Sequence, residues 1–230
     1  LAGPGMEGQN LAEGVSVSQM RVVPAMGDAL GRLAVLDLGV KESTLHQLAA
    51  RRFDVHVLPA TASFAEVMSL EPVALFFSNG PGDPAASTAQ VALLTEALKV
   101  SLPFFGICFG NQLLGRALGF DTYKLSYGHR GINQPVLDKA TGRIEITAHN
   151  HGFAVQAPVE GIVESPAGFG RVEVSHVGLN DNVVEGLRAL DVPAFSVQYH
   201  PEAAAGPHDS TYLFDRFRDL VVSQGKKGDQ

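Results

Sequence analysis

The stretch Pro103-Phe-Phe-Gly-Ile-Cys108-Phe-Gly-Asn-Gln-Leu-Leu114 holds the only cysteine of the chain, at the junction of an apolar run and an amphipathic segment. Residues 103–107 read as a buried strand, and Asn111 to Leu118 as a helix with apolar positions at helical spacing. Gly106 and Gly110 flank the thiol. The pattern Gly106-Ile-Cys108-Phe-Gly110 is that of a nucleophile elbow with sulfur in place of a hydroxyl. Such a strand-to-helix turn pushes its central side chain into a cleft and needs glycines where the backbone closes on itself. The helix N-terminus it aims at the sulfur favours thiolate over thiol. The alternative is that Cys108 is a small buried hydrophobe, as most free cysteines are.

Working outward, Leu33–Leu38, Val55–Leu58 and Val73–Phe77 read as strands and Glu42–Arg52 as a helix. Asp83 reads as an N-cap with Pro84 at the first position of a helix running to about Val100. Strands alternating with helices predict an α/β fold, a doubly wound, mostly parallel sheet with helices on both faces. In such sheets ligands bind outside the carboxyl ends of the strands, where the Asn79-Gly-Pro-Gly82 loop and the Cys108 elbow both emerge. Past Phe120 the helical period stops. Short strands around Ile132–Leu137, Arg143–Thr147, Val155, Val172–Ser175 and Val184–Arg188 predict a smaller antiparallel extension, closed by an amphipathic helix from Ser210 to Ser223. Residues 1–30, rich in glycine and small polar side chains, read as an arm or linker with little core of its own. That leaves 31–225 as one domain and 226–230 as a tail whose Lys226 and Lys227 are solvated.

Composition narrows the function classes. At 230 residues and 45% hydrophobic the chain can bury one substantial core. One cysteine excludes an internal disulfide and suits a reducing compartment, so a cytoplasmic location is expected. No apolar run reaches the about 18 residues of a membrane helix. With 17 basic against 24 acidic residues and no basic cluster beyond the tail, nucleic-acid binding has no electrostatic footing.

A thiol nucleophile needs a base, and Phe195-Ser-Val-Gln-Tyr-His200-Pro-Glu202 offers one. Pro201 keeps His200 extended, so the side chains of His200 and Glu202 lean the same way. An imidazole oriented by a carboxylate and set against a thiol is the general form of a cysteine triad: Cys108, His200 and Glu202. Taken without the elbow, His200 and Glu202 read rather as a solvated strand end; the elbow, far away in sequence, reverses that preference.

These strings resemble the class I (triad) glutamine amidotransferases, and more narrowly the small, glutamine-hydrolysing subunits of carbamoyl-phosphate synthase, over nearly the whole chain. The general part is Gly106-Ile-Cys-Phe-Gly-Asn-Gln112 with His200-Pro-Glu202. The specific part is Ser78-Asn-Gly-Pro-Gly-Asp-Pro84, Tyr127-Gly-His-Arg-Gly-Ile-Asn-Gln-Pro135, His149-Asn-His-Gly-Phe-Ala-Val155 and His200-Pro-Glu-Ala-Ala-Ala-Gly-Pro-His-Asp209. One departure lies inside the elbow, where that family usually has His at the position of Asn111; both are polar and one step past the turn, so little effect on chemistry is expected. In that family the full small subunit begins with a separate N-terminal domain, which supplies part of the large-subunit interface and a serine near the glutamine site. By that matching this sequence starts at Leu1 in the linker after it.

The resemblance implies a flavodoxin-like class I amidotransferase fold and hydrolysis of L-glutamine through a cysteine thioester. It implies an oxyanion hole from the amides of Gly82 and Phe109, and substrate contacts from Gly80, Gly82, Phe109, Gln112, Asn150, Gly152 and Phe153. It further implies passage of ammonia to a carbamoyl-phosphate synthase large subunit, for carbamoyl phosphate used in arginine and pyrimidine biosynthesis. ATP, Mg and bicarbonate are expected only on that large subunit, and no cofactor on this chain, which has no phosphate-binding Gly-x-x-x-x-Gly-Lys-Ser/Thr loop. Two histidines, His149 and His151, without a third ligand nearby make an incomplete metal site, so no metal is expected. His46, His56, His129, His176 and His208 carry no constellation legible from spacing. Two other functions stay open: a non-catalytic scaffold docking the large subunit, and a cysteine hydrolase acting on another γ-glutamyl amide or peptide.

Overall fold

The apolar runs around the elbow become the middle of a sheet whose two faces are both covered. The structure, a computed structural model, describes residues 5–203 and 210–228, with the side chains of the closing helix described through residue 225. His208 and the other residues between 203 and 210 therefore lie outside the described residues, as do 1–4 and 229–230.

In chain order the strands are β1 (Arg21–Val23), β2 (Gly31–Asp37), β3 (Phe53–Pro59), β4 (Ala74–Phe77), β5 (Phe104–Ile107), β6 (Asp121–Asp138), β7 (Arg143–Gln156), β8 (Ile162–Glu164), β9 (Arg171–Gly178), β10 (Val184–Ala189) and β11 (Ala194–Val197). They form one sheet in the order β1-β3-β2-β4-β5-β11-β10-β9-β6-β7, with β8 paired to β9. From β3 through β2, β4 and β5 to β11 the pairing is parallel; beyond β11 it is antiparallel. This is the predicted α/β architecture.

Parallel strands buried on both faces must be apolar at every position, as β4 (Ala-Leu-Phe-Phe) is. Alternation then splits the core: Phe77 and Phe104 point to one side and Phe76 and Phe105 to the other. Helices α2 (Phe64–Ser69), α3 (Thr88–Lys99) and α4 (Phe109–Ala117) cover the first side. The opposite side is covered by α1 (Glu42–Ala50) and α5 (Tyr212–Gly228), whose Phe214 and Phe217 meet Phe105 at ring-centroid distances of 6.0 and 5.6 Å. Each such buried ring contributes about 1.5–3 kcal/mol from lost apolar surface, so the centre of the sheet, directly beneath the elbow, is its best-anchored part.

Three expectations change. The helix predicted from Pro84 breaks: Asp83 Oδ1 accepts from the Ala85 amide at 2.9 Å, but only a 3-10 turn, Pro84–Ala86, follows before α3 starts at Thr88. The turn is pinned elsewhere, since Asp83 Oδ2 accepts from Gly8 N at 2.8 Å and Asp83 N donates to Gln9 O at 2.9 Å. The described part of the arm, residues 5–30, is tied down: Ala12 is fully buried, Val17 N donates to Asp37 Oδ2 at 2.8 Å, and β1 extends the sheet beyond β3. The strands predicted around Ile132–Leu137, Arg143–Thr147 and Val155 merge into one long hairpin, β6 with β7, which places His129 directly opposite His151, while those at Val172–Ser175 and Val184–Arg188 stand as β9 and β10. Helix α2 was not foreseen, although Ser63 and Glu66 form the reciprocal capping box that announces it. Among the described residues no helix is long and apolar enough to cross a membrane.

Candidate active site

Cys108 ends β5 and caps α4 with φ 56° and ψ −98°, a conformation L residues avoid. Holding it costs about 1–3 kcal/mol, and the surroundings leave no alternative. A Cβ on Gly106 would lie 2.6 Å from Gly110 O, and one on Gly110 would overlap the carbonyl of Phe77. Both glycines are thus demanded by the turn, as the sequence pattern predicts. The Cys108 carbonyl accepts from Asn111 N at 3.1 Å and Gln112 N at 3.3 Å, starting the helix, while the amide of Phe109 belongs to the first turn, which has no intrahelical acceptor.

The parallel register Ile107↔Val197 brings the ends of β5 and β11 side by side, and three residues past β11 stands His200. Its amide donates to Ala148 O at 2.9 Å, fixing the loop to β7. The imidazole hydrogen-bonds the Cys108 side chain, and Nδ1 donates to Glu202 Oε1 at 2.8 Å. Lys41 Nζ lies 3.0 Å from the same Glu202 oxygen and 3.2 Å from Nδ1. With its proton committed to Glu202, Nδ1 has no lone pair for the ammonium, so Lys41 acts on the carboxylate. Burial drives an imidazole toward its neutral form, but Cys108 and then Glu202 outweigh it and lift His200 to about 10. Burial likewise pushes the Glu202 carboxyl up, and the bond to His200 with the charges of His200 and Lys41 reverses that, holding it below its usual range. The structure therefore brings the three predicted triad residues together, in a state that favours the imidazolium.

The thiol and imidazole open into a cavity of about 410 Å³. Gly80, Gly82, Phe109 and Gln112 line one side of it, and Asn150, Gly152 and Phe153 the other. Glu202 stands behind His200 and off the cavity wall. A Cβ on Gly80 would overlap the Leu38 carbonyl, and Gly82, at φ +117°, would meet Gln9 O at 2.9 Å. Gln112 joins the two walls: its Nε2 donates to Phe153 O at 3.0 Å and Gln198 Oε1 at 3.1 Å. Asn111 does not face the cavity; buried below the elbow, it accepts from Ser196 Oγ at 2.8 Å and donates to Gln198 Oε1 at 3.1 Å. Sequence reasoning missed Met6, Lys41, Arg130 and His151 on the cavity wall. Lys41 had a signal, since it follows the carboxyl end of β2, where such sheets place ligands; Met6 had none.

The premise that His149 and His151 lack further ligands, and that His129 belongs to no constellation, is corrected. His129, His149, His151 and Glu185 converge so that one ligand atom from each lies within 4.8 Å of the others. Spacing hid this because β6, β7 and β10 meet only in the folded sheet. The hydrogen bond to Glu185 raises His129 to about 9, burial raises the Glu185 carboxyl to about 7, and burial lowers His149 to about 2 and His151 to about 4. His176 hydrogen-bonds Ser175 at 2.9 Å and His56 pairs with Asp54 at 3.0 Å, both away from the cavity.

Comparison with known proteins agrees with this geometry. Residues 34–220 match the family described as glutamine amidotransferase class-I. The chain is 61% identical over 221 residues to the carbamoyl phosphate synthase small chain of Streptomyces avermitilis, covering 96% of this chain and 58% of that one. Against the proteins of the same name from Bifidobacterium longum and Mycobacterium tuberculosis the identities are 54% and 52%, covering 57% and 59% of their lengths. The chain thus spans somewhat more than half of these relatives. In three dimensions it is similar, at TM-score 0.69 and 17% identity, to a Thermoplasma acidophilum protein provisionally described as part of a GMP synthase, with 86% of this chain and 98% of that one covered. At that identity the likeness speaks for the fold.

Proposed function

The chain belongs to the class-I glutamine amidotransferase family, and from that premise we propose that it hydrolyses L-glutamine to glutamate and ammonia. The observation that carries this reading is a thiol on a strained elbow, hydrogen-bonded to an imidazole that a buried carboxylate orients, all opening on one cavity. Attack requires the sulfur as thiolate, and the His200 imidazole that faces it is held in its protonated form. The Cys108 sulfur attacks the side-chain carbonyl carbon of glutamine, and the amides of Phe109 and Gly82 receive the oxyanion. Such donors are worth about 2.7–4 kcal/mol each to the transition state. His200 gives its proton to the departing nitrogen, which leaves as ammonia, and a γ-glutamyl thioester remains. His200, now neutral, takes a proton from water; the hydroxyl oxygen attacks the thioester, glutamate leaves and the thiolate returns.

Gly80, Gly82 and Gln112 on one wall and Asn150, Gly152 and Phe153 on the other would hold the substrate's α-amino and α-carboxylate groups. The glycines let the backbone approach, and Lys41 and Arg130 add positive charge at the rim. Resemblance to carbamoyl phosphate synthase small chains supports, as partner and acceptor of the ammonia, a large synthetase subunit; ATP, Mg and bicarbonate would be used there, and this chain would need no cofactor. A cytoplasmic location fits a reactive thiol and the absence, among the described residues, of a membrane-crossing helix.

The test is glutaminase activity, measured as glutamate release, in the 230-residue chain with and without a large subunit. Cys108→Ser should abolish glutamate release while ammonia-dependent synthesis by the assembled complex persists. Glutamate release retained by that variant overturns the reading. A chain that binds the large subunit yet hydrolyses nothing would be a scaffold, and one that prefers another γ-glutamyl amide would be a different cysteine hydrolase.

A further inference from the structure

Next to the glutamine cavity, three strands bring four potential ligand atoms to one point, three on buried residues and one on the part-buried His129. His129 comes from β6, His149 and His151 from the same face of β7, and Glu185 from β10. The Glu185 side chain is fully buried and those of His149 and His151 are 1% exposed. The inward atoms are His129 Nδ1, His149 Nδ1, His151 Nε2 and the Glu185 carboxylate. Their separations are 3.1 Å for His129 to Glu185, 3.2 Å between His149 and His151, 3.7 Å for His149 to Glu185 and 3.8 Å for His151 to Glu185.

The outward nitrogens settle where the protons are. His151 Nδ1 lies 2.9 Å from Phe153 O, which only accepts, so Nδ1 carries the hydrogen. The Thr147 hydroxyl donates to Gln134 O at 2.8 Å, so it accepts from His149 Nε2 at 2.7 Å. His129 Nε2 donates to Asp181 Oδ2 at 2.7 Å. With those protons spent, His149 Nδ1 and His151 Nε2 face each other as two bare lone pairs at hydrogen-bond distance, and no donor stands between them. A second proton on His129 satisfies Glu185 Oε1 but leaves that pair unresolved, and Glu185 Oε2 has no hydrogen-bond partner among the described residues. Buried acceptors arranged this way call for a cation among them.

We propose that His129, His149, His151 and Glu185 form a four-coordinate site for a divalent transition-metal ion, zinc by its chemistry, beside the glutamine cavity. Zinc binds imidazole nitrogen and carboxylate oxygen at about 2.0–2.2 Å, which makes the edge of a ligand tetrahedron about 3.3–3.6 Å. The four separations above fall on either side of that edge, and all four ligand atoms lie within 4.8 Å of one another. Three nitrogens and one oxygen suit zinc better than the all-oxygen preference of magnesium or calcium. Each histidine also has the outer hydrogen-bond partner that orients a metal-bound imidazole. Four protein ligands close the shell, so the ion acts as a clip. It joins β10 to the β6–β7 hairpin and holds His151 between Asn150 and Gly152, the residues of the cavity wall. The proposal stands apart from the assigned reaction and would hold if the substrate were a different amide.

The test uses the whole chain, stripped with a chelator and titrated with zinc. It should bind one ion per chain, and cobalt(II) in its place should give the intense visible bands of a four-coordinate ion, without sulfur charge transfer. Glu185→Gln and, separately, His149→Ala should weaken binding about 100-fold or more. Thr147→Val, which removes only the outer partner of His149, should weaken it about 10- to 100-fold. Cys108→Ser should leave the affinity unchanged, separating this site from the thiol. No zinc uptake by the folded parent chain, a six-coordinate cobalt spectrum, or a Glu185→Gln variant that binds as tightly as the parent would each overturn the proposal; the first two do not depend on any variant folding.

Discussion

His200 and His149 are both deeply buried, at 7% and 5% exposure, yet burial leads to opposite outcomes. His200 is lifted to about 10 and His149 falls to about 2. Desolvation is the largest single influence on both and acts in the same direction. The difference lies in the neighbours: His200 meets a thiol and a carboxylate that Lys41 holds charged, whereas His149 meets two other imidazoles and the more distant charge of His200, and the Glu185 carboxyl 3.7 Å away is itself raised to about 7 by burial. Burial sets a cost for the charged form, and the sign of the nearest partner decides whether the cost is met. One region is built to hold a proton and hand it over. The other collects bare nitrogens.

The sharpest way to break that contrast is to remove each imidazole in turn. His200→Asn should lower kcat/KM for glutamine by about 10⁴- to 10⁶-fold, because the proton carrier hydrogen-bonded to Cys108 is gone. His149→Gln should lower it by less than about tenfold, since that ring does not line the cavity. Comparable losses in steady-state assays would mean the chemistry is not confined to the elbow. Glu202→Gln should fall between them, at about 10²- to 10⁴-fold, because an orienting group is worth less than the proton carrier it orients.

A second contrast appears in pH. The folded chain holds the His200 proton up to about 10, against 6.5 for an ordinary imidazole. Folding therefore gains from this group fully below about 6.5, and the gain is lost as pH rises through about 10. Chemical unfolding followed from pH 6 to 10 should show stability falling more steeply in the parent than in His200→Asn. Parallel curves would remove the description of His200 as an imidazolium.

The smallest effect belongs to Lys41, whose side chain is 45% exposed and so partly screened. Lys41→Met should cost less than about tenfold in kcat/KM while moving the alkaline limb of the rate profile down, because Glu202 then supports the imidazolium with one cation fewer around it. An unchanged pH profile would show that Lys41 is a rim contact only.

How much of this was legible follows from how local each cause is. The strands of the parallel half announce themselves because burial on both faces forbids polar residues over the whole length of β4 and β5. Gly106 and Gly110 announce the elbow because a side chain at either would strike backbone a few residues or one strand away. Asn111 shows the limit of reading by adjacency: it sits three residues from the thiol, yet its side-chain amide is spent on Ser196 and Gln198 in the layer below. Residues 5–30 carry no periodicity of their own, because what orders them is pairing with β3 and with Asp37 and Asp83.

By itself the amino-acid sequence determined the alternating α/β order, the elbow, the thiol and the His-Pro-Glu segment, since each is written in neighbouring residues by periodicity, glycine placement and proline restriction. Only the tertiary structure decided that Lys41 meets Glu202, that Met6 and Arg130 wall the cavity, and that His129 and Glu185 join His149 and His151. Those meetings depend on strand order and register. A shift of one residue between β6 and β7 would turn His129 away from His151, and nothing local in either strand states which pairing the sheet will choose.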